Sequence, residues 1–368
     1  MLFIGIGQQQ DCNKVFRLPG AGRRLPRRQG TRVWRLSLFV GLSSILFASD
    51  QVKAGQALEF DQGATLNVTE ENDFVNGTDR WYTQGAKVSF LQADNHLPNW
   101  TAGLLDSIPA LGFSTGAERI GYELGQSMFT PANTHASELL VNDRPYAGWL
   151  YTGAILQRRG IGLGNYLTLE NFQLDIGIVG VQSEAEQLQT WWHTHTPAGW
   201  KNQLRDEPGF DLKYGRAWLI TIPSDQERNF DIIPHAGLSA GNVDTSFRAG
   251  TTLRAGWNLP QDFGVQPIDS LFTTEGGRSP SREGRRWGFY FFSGVEGRAV
   301  LYNEFLDGDA FRASPHVDKE PFVGEWRSGL VFVFDRVEIA YTHILLTREF
   351  ELQPQGQIYG SLSLRYNF

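Results

Sequence analysis

The stretch Leu362–Phe368 at the end of the chain limits the possible folds more than any other. Leu362, Leu364, Tyr366 and Phe368 fall on one face of an extended chain; Ser363, Arg365 and Asn367 fall on the other. Alternation with a period of two marks a strand whose faces meet different surroundings. A final strand that is apolar and aromatic on one side, polar on the other, and closed by phenylalanine is the pattern of an outer-membrane barrel. Its apolar face meets lipid and its polar face the lumen. A sandwich strand can read the same way in isolation, so the rest of the chain has to decide.

The N-terminus favours the barrel. Arg23, Arg24, Arg27, Arg28, Arg32 and Arg35 precede an apolar run, Leu36–Ala48, and Val52-Lys53-Ala54 offers small residues beyond it. Basic, then apolar, then small is the order of a secretory signal, and the apolar run is short for a membrane-spanning helix. Residues 1–54 are expected to be leader, with 1–30 an extension ahead of the signal proper, and 55–368 the barrel. Those first 54 residues hold nine of the 33 basic and two of the 40 acidic residues, so the remainder carries 24 against 38, a net charge of −14. Such an acidic chain argues against nucleic acid as partner. The single cysteine, Cys12, leaves with the leader. A secreted chain without disulfides needs another source of stability, and a closed hydrogen-bonded wall supplies one.

Strand-like segments recur through the remainder. They are Ala64–Glu71, Tyr82–Leu91, Arg119–Met128, Pro145–Gln157, Tyr166–Ile178, Gly209–Ile222, Phe230–Gly241, Ser246–Trp257, Trp287–Tyr302, Phe322–Phe334, Val337–Leu346 and the terminal strand. The chain therefore reads as all-β: an antiparallel transmembrane barrel of about twelve strands, an even number with both termini at the periplasmic end. Enrichment in phenylalanine, tryptophan, tyrosine and glycine suits this class. The expected outer loops are 72–81, 129–144, 179–208, 242–245, 303–321 and 347–355. The linkers 92–117 and 258–286 are long for the periplasmic side, and Leu104–Ile108 suggests a short helix in the first.

Two outer loops carry candidate chemistry. Asn76-Gly77 signals a turn between the first two strands, so Asn72, Asp73, Asp79, Arg80 and Thr83 cluster at a hairpin tip. Carboxylate, amide and hydroxyl oxygens of this kind are ligands for hard cations, although Asn, Asp and Thr also simply make turns. In the third loop Ser183 followed by Glu186 reads as a capping box opening a short helix. Ala185, Leu188 and Trp192 form its apolar stripe, and Glu186, Gln189 or Thr190, and His193 an adjacent one. Packed on the rim, that helix can direct His193 at the first-loop tip; a solvated surface histidine is the plainer alternative.

Other motifs mislead. Gly112–Gly116 and Gly237–Gly241 match G-x-S-x-G, but neither sits between a strand and a helix as a nucleophile elbow must. Gly160–Gly164 has no helix after it and reads as a turn rather than a dinucleotide loop. His193-Thr194-His195 has no cysteine or HExxH partner to support zinc. Asp307-Gly308-Asp309 reads as a turn.

Beyond these local readings, the chain from about Leu66 to Phe368 resembles the outer-membrane lipid A 3′-O-deacylases and their relatives. The resemblance is carried by Glu71-Asn72-Asp73, Thr78–Gly85, Asn142–Trp149, Asp175–Gly180, Glu186–His193, Gly199–Gln203, His235-Ala236-Gly237, Gly241-Asn242-Val243 and Gly294–Arg298. It implies a twelve-stranded barrel in the bacterial outer membrane, acting on lipid A or lipopolysaccharide in the outer leaflet. It also implies a calcium-dependent esterase with a phospholipase-A2-like mechanism. By this resemblance Asn72 and Asp73 are the family's Asn-Asp pair, with Asp73 a Ca²⁺ ligand, Thr83 its hydroxyl and His193 its general base. Arg144, and with it Arg80, would meet lipid A phosphate. The chain departs from the family in two places. Gln126–Asp143 contains no lysine, His135 being its one ionisable base, and Thr194–Gly199 holds no carboxylate. A monomer is expected. Two rival readings are a catalytically idle structural or porin-like barrel and a serine esterase using Ser239.

Overall fold

The structure, a computed structural model, describes residues 63–94, 96, 112, 114–192, 197–222, 230–274 and 286–368. The expected leader 1–54, the Leu104–Ile108 segment, His193 and His195 lie outside the described residues.

Twelve antiparallel strands close on themselves, each paired with its sequence neighbours, and β1 is sealed to β12. They are β1 Thr65–Asn72, β2 Trp81–Leu91, β3 Ser114–Thr130, β4 Ala147–Ile161, β5 Leu167–Val179 and β6 Glu207–Thr221. The second half comprises β7 Phe230–Gly241, β8 Asp244–Trp257, β9 Trp287–Asn303, β10 Phe322–Phe334, β11 Val337–Leu346 and β12 Gln357–Asn367. The expected boundaries agree within a few residues, and those of β7, β10 and β11 coincide. Among the described residues two α-helices, α1 Ala185–Trp192 and α2 Glu304–Asp307, lie in the third and fifth outer loops. No helix among the described residues is long and apolar enough to cross a membrane.

The alternation that defines the last strand becomes the two sides of the wall. Leu362, Leu364 and Phe368 are exposed on the outside, whereas Ser361, Ser363, Arg365 and Asn367 are buried within. Closure matters because lipid cannot satisfy a free strand edge. The seam pairs Thr65 with Asn367 and continues to Asn72 opposite Gly360. Aromatic rings gather near the end that holds Thr65 and Phe368. Trp257 and Trp287 lie 4.3 Å apart, and Phe368 packs edge-on to Tyr366 at 4.9 Å and to Phe90 at 6.4 Å. Such a girdle marks a membrane interface.

The described part of the long linker after β8, 258–274, turns into the lumen and bonds to strands on several sides of the wall. Glu71 Oε1 accepts from Ile268 N at 3.0 Å, Gln157 Nε2 donates to Thr273 O at 3.0 Å and Asn171 Nδ2 to Leu271 O at 2.9 Å. Phe263, Leu271 and Phe272 pack on Leu167, Leu169, Ala217, Leu219 and Ile233, giving the lumen an apolar core. Its two acids are doubly paired. Asp262 meets Arg254 at 2.5 Å and Arg365 at 3.1 Å, and Asp269 meets Arg248 at 2.9 Å and Arg298 at 2.8 Å. The described part of this linker is therefore a plug.

Candidate active site

The outer rim is built from the first loop upward. After β1 the chain makes a 3-10 turn, Asp73–Asn76. Asn72 caps it, its Oδ1 accepting from Phe74 N at 2.7 Å, and Gly77 closes it in the left-handed region at φ 65. This cap swings Asp73 inward until it is 1% exposed. Asp73 Oδ2 accepts from Thr78 Oγ1 at 2.7 Å and from Arg80 N at 2.9 Å. Burial pushes its carboxyl up to about 6, against those hydrogen bonds, and the charge of Asp79 adds to the rise. Glu71, two residues earlier, faces the lumen and accepts from Tyr82 Oη at 2.8 Å. The Glu-Asn-Asp run thus divides into a wall residue, a cap and a rim acid.

The other expected site residues surround this turn. Thr83 sits at the bulge in β2 between Tyr82 and Gln84, and its Oγ1 lies 2.7 Å from Thr130 Oγ1 at the end of β3. Arg80 places its guanidinium 4.5 Å over the ring of Trp81. Arg144 is fully buried; it donates to Glu349 Oε2 at 3.0 Å and lies 4.5 Å over Phe129. It thus ties the second outer loop to the sixth. Its Nε has no hydrogen-bond partner among the described residues.

Helix α1 packs on the rim through Ala185, which joins Met128, Tyr146 and Trp200, with Leu188 at the edge. Two glycines of the recurring motifs make room for it. A Cβ on Gly148 would stand 2.0 Å from Ser183 Oγ and 2.5 Å from Ala185 Cβ, and one on Gly199 2.4 Å from the Tyr146 ring. The expected capping box does not form. Ser183 ends a separate 3-10 turn and its Oγ donates to Gly180 O at 2.5 Å, while Glu184, at φ 59, precedes the helix. The close seating of Ser183 under Gly148 takes the hydroxyl away from the helix end.

Of the two candidates for the polar stripe, Gln189 turns inward and Thr190 stays exposed. Gln189 is 0% exposed; its Nε2 donates to Asp79 Oδ1 at 3.0 Å and its Oε1 accepts from Trp200 Nε1 at 2.7 Å. Burial, with the charge of Asp79 adding, pushes the Tyr146 hydroxyl up to about 12. The third-loop helix is therefore joined to the first-loop tip through Asp79. The described donors here are carboxylate, amide and hydroxyl oxygens, with two acids close enough to repel. This set fits a hard cation such as Ca²⁺.

The misleading motifs resolve simply. Ser239 lies inside β7 with its Oγ donating to Asp211, and the tight connection after β7 leads into another strand rather than the helix an elbow requires. Gly160–Gly164 leads through a 3-10 turn into β5. Sequence reading missed the Gln189 bridge as such, since the residue is marked only by its helical position.

A closed wall, apolar outside and polar within, with an aromatic girdle and a helix seated on its outer rim, defines an integral outer-membrane barrel protein. Within that class the chain belongs to the family of outer membrane protein LpxR, whose model matches residues 36–368. Its fold is similar to that of LpxR from Salmonella typhimurium, at 19% identity and a TM-score of 0.65, covering 83% of this chain and 100% of that one. A slighter likeness, too small to argue from, is to the beta domain of the Bordetella autotransporter BrkA. That match has 10% identity and a TM-score of 0.41, and covers 83% of this chain and 99% of that one. No curated protein matches the chain.

Proposed function

We propose that the protein is an outer-membrane hydrolase that removes the 3′-acyloxyacyl group of lipid A by Ca²⁺-assisted ester hydrolysis. The observation that carries this reading is the seating of α1 on the Asp73 loop through Gln189 and Asp79, in a member of the LpxR family. His193 follows Gln189 by four residues, the spacing that brings side chains to one face of a helix. In this reading His193 takes a proton from water as the water oxygen adds to the ester carbonyl. The C–O bond then breaks and the sugar oxygen leaves with a proton. Asp73 is the carboxylate ligand of the cation, and Asn72 and Thr83 orient the water and the ligand shell. A bound Ca²⁺ supplies positive charge where the carbonyl oxygen becomes negative. Arg144 and Arg80 are assigned to lipid A phosphate, Arg144 by turning from Glu349.

Mass spectrometry of lipid A from cells with and without the gene, with Ca²⁺ or chelator present, tests the reading. Loss of the 3′ chains only with the gene and Ca²⁺ supports it. His193→Ala removing those chains as fast as wild type would overturn it. The rival porin reading is opposed by the plug, since residues 258–274 occupy the lumen. A conductance measurement on the purified protein decides between them.

A further inference from the structure

The rim holds a second set of oxygen ligands, separate in sequence from Asp73. Glu207 opens β6, Glu304 opens α2 and Asp309 follows α2. All three are buried, and one carboxylate oxygen from each lies within 4.8 Å of the others. Separate segments bring them together. The backbone N of Glu304 donates to Val243 O at 3.0 Å, which fixes α2 against the fourth loop. Below it Phe305 packs with Leu204, Trp149 and Val243 and stacks on Phe129 at 4.2 Å.

Most oxygens of two of the acids have donors. Asp309 Oδ1 accepts from Arg205 N at 3.2 Å, and Glu207 accepts from Ala310 N and, at 3.4 Å, from Phe311 N. Glu304 differs: it is 0% exposed, and no N–H or hydroxyl donor among the described residues reaches either of its carboxylate oxygens. Asp309 Oδ2 lacks one as well. The guanidinium of Arg312 lies 3.7 Å from Glu207, and its side chain is 43% exposed. A buried carboxylate demands either a proton, a donor or a cation.

We propose that Glu207, Glu304 and Asp309 bind a second hard divalent cation of the Ca²⁺ type, which clamps the end of the third outer loop to the fifth. All ligands are oxygen, with no imidazole or thiolate to favour zinc or copper. The competing occupant is a proton. Burial, a hydrogen bond with Glu207 and the charges of Glu207 and Asp309 push the Glu304 carboxyl up to about 9, so an acid shared with Glu207 would also satisfy the site. The two occupants respond in opposite ways to removal of a charge.

The test uses the full folded barrel in detergent, stripped with chelator and titrated with CaCl₂ at pH 8. Calorimetry gives the binding, and heat-induced loss of the compact form on gels gives the melting temperature. In Asp73→Asn, which leaves this cluster intact, one equivalent of Ca²⁺ still binds and still raises the melting temperature. Adding Glu304→Gln or Asp309→Asn to Asp73→Asn weakens that remaining equivalent at least tenfold and cancels the rise. Should one double variant fail to fold, the other carries the comparison. Loss of all binding in Asp73→Asn alone overturns the proposal. So does an Asp73→Asn/Glu304→Gln double variant that melts higher than Asp73→Asn without Ca²⁺ and keeps that variant's response to the metal, since that is the signature of a shared proton. The readout is binding and melting, so it stands or falls apart from lipid A hydrolysis.

Discussion

The lumen plug and the outer rim both bury carboxylates, and they treat them in opposite ways. In the plug the buried Asp262 lies between Arg254 and Arg365, while Asp269, more exposed, still meets both Arg248 and Arg298. At the rim Asp73 accepts hydrogen bonds from a threonine and a backbone amide, and Glu304 from no described residue. A buried charge with matched partners locks a structure, whereas one left short of positive charge stores a demand that something external can meet. The comparison teaches where to look for function in a molecule with ionised groups throughout. The dense Arg–Asp clusters are scaffold, and the acids short of a partner are candidate sites.

The comparison can be broken most directly in the plug. Asp262→Ala leaves Arg254 and Arg365 buried with less countercharge, and should cost about 3–5 kcal/mol in denaturant unfolding of the detergent-solubilised barrel. If the loss is negligible, the plug is not the rigid member of the pair. On the rim the same kind of truncation should spare the fold and remove the chemistry. His193→Ala and Asp73→Ala are expected to lower lipid A deacylation by about 10²–10⁴-fold, with heat-modifiability on gels unchanged. Unfolded product would erase the distinction.

A smaller effect sharpens the link between the loops. Gln189→Ala leaves the buried Trp200 Nε1 without an acceptor and frees Asp79 from α1. It should cost about 1–3 kcal/mol of stability and slow turnover while leaving its pH dependence in place. Asp73 also predicts a pH response. Its folded pKa, about 6, lies above the ordinary carboxylate value, so without metal its proton favours the folded state most strongly at low pH. That contribution fades as pH rises from about 4 to about 6, and the ionised acid that binds a cation appears over the same range. Ca²⁺ affinity should therefore fall as pH drops below about 6, which titration calorimetry at pH 5 and pH 8 would measure. The smallest expected change is at Ser239, where alanine should leave hydrolysis as in wild type. Lost turnover there would revive the serine-esterase reading.

Much of the fold was legible because membrane strands carry their surroundings in their alternation. Val68 faces lipid while Asn67 and Thr69 face the lumen, as the first strand's pattern implied, and the same holds at Leu364 and Arg365. The rim was only partly legible. Asn72 and Asp73 were visible as a turn with ligand atoms, but the choice of Gln189 over Thr190 needed the position of Trp200. Ser183 followed by Glu186 suggested a cap, and Gly148 instead drew Ser183 against the wall. His193 lies outside the described residues, so its role remains a matter of sequence.

What the chain determined by itself is its wall: period-two alternation, apolar or aromatic on one side and polar on the other, a local pattern that each strand reports without its neighbours. What only the tertiary structure decided is which polar groups meet across the lumen and the rim. Nothing near Asp262 in sequence announces Arg365, and Glu207, Glu304 and Asp309 come from segments about a hundred residues apart at the widest. Charge pairing depends on distance in space, and barrel closure sets that distance for residues that the sequence keeps far apart.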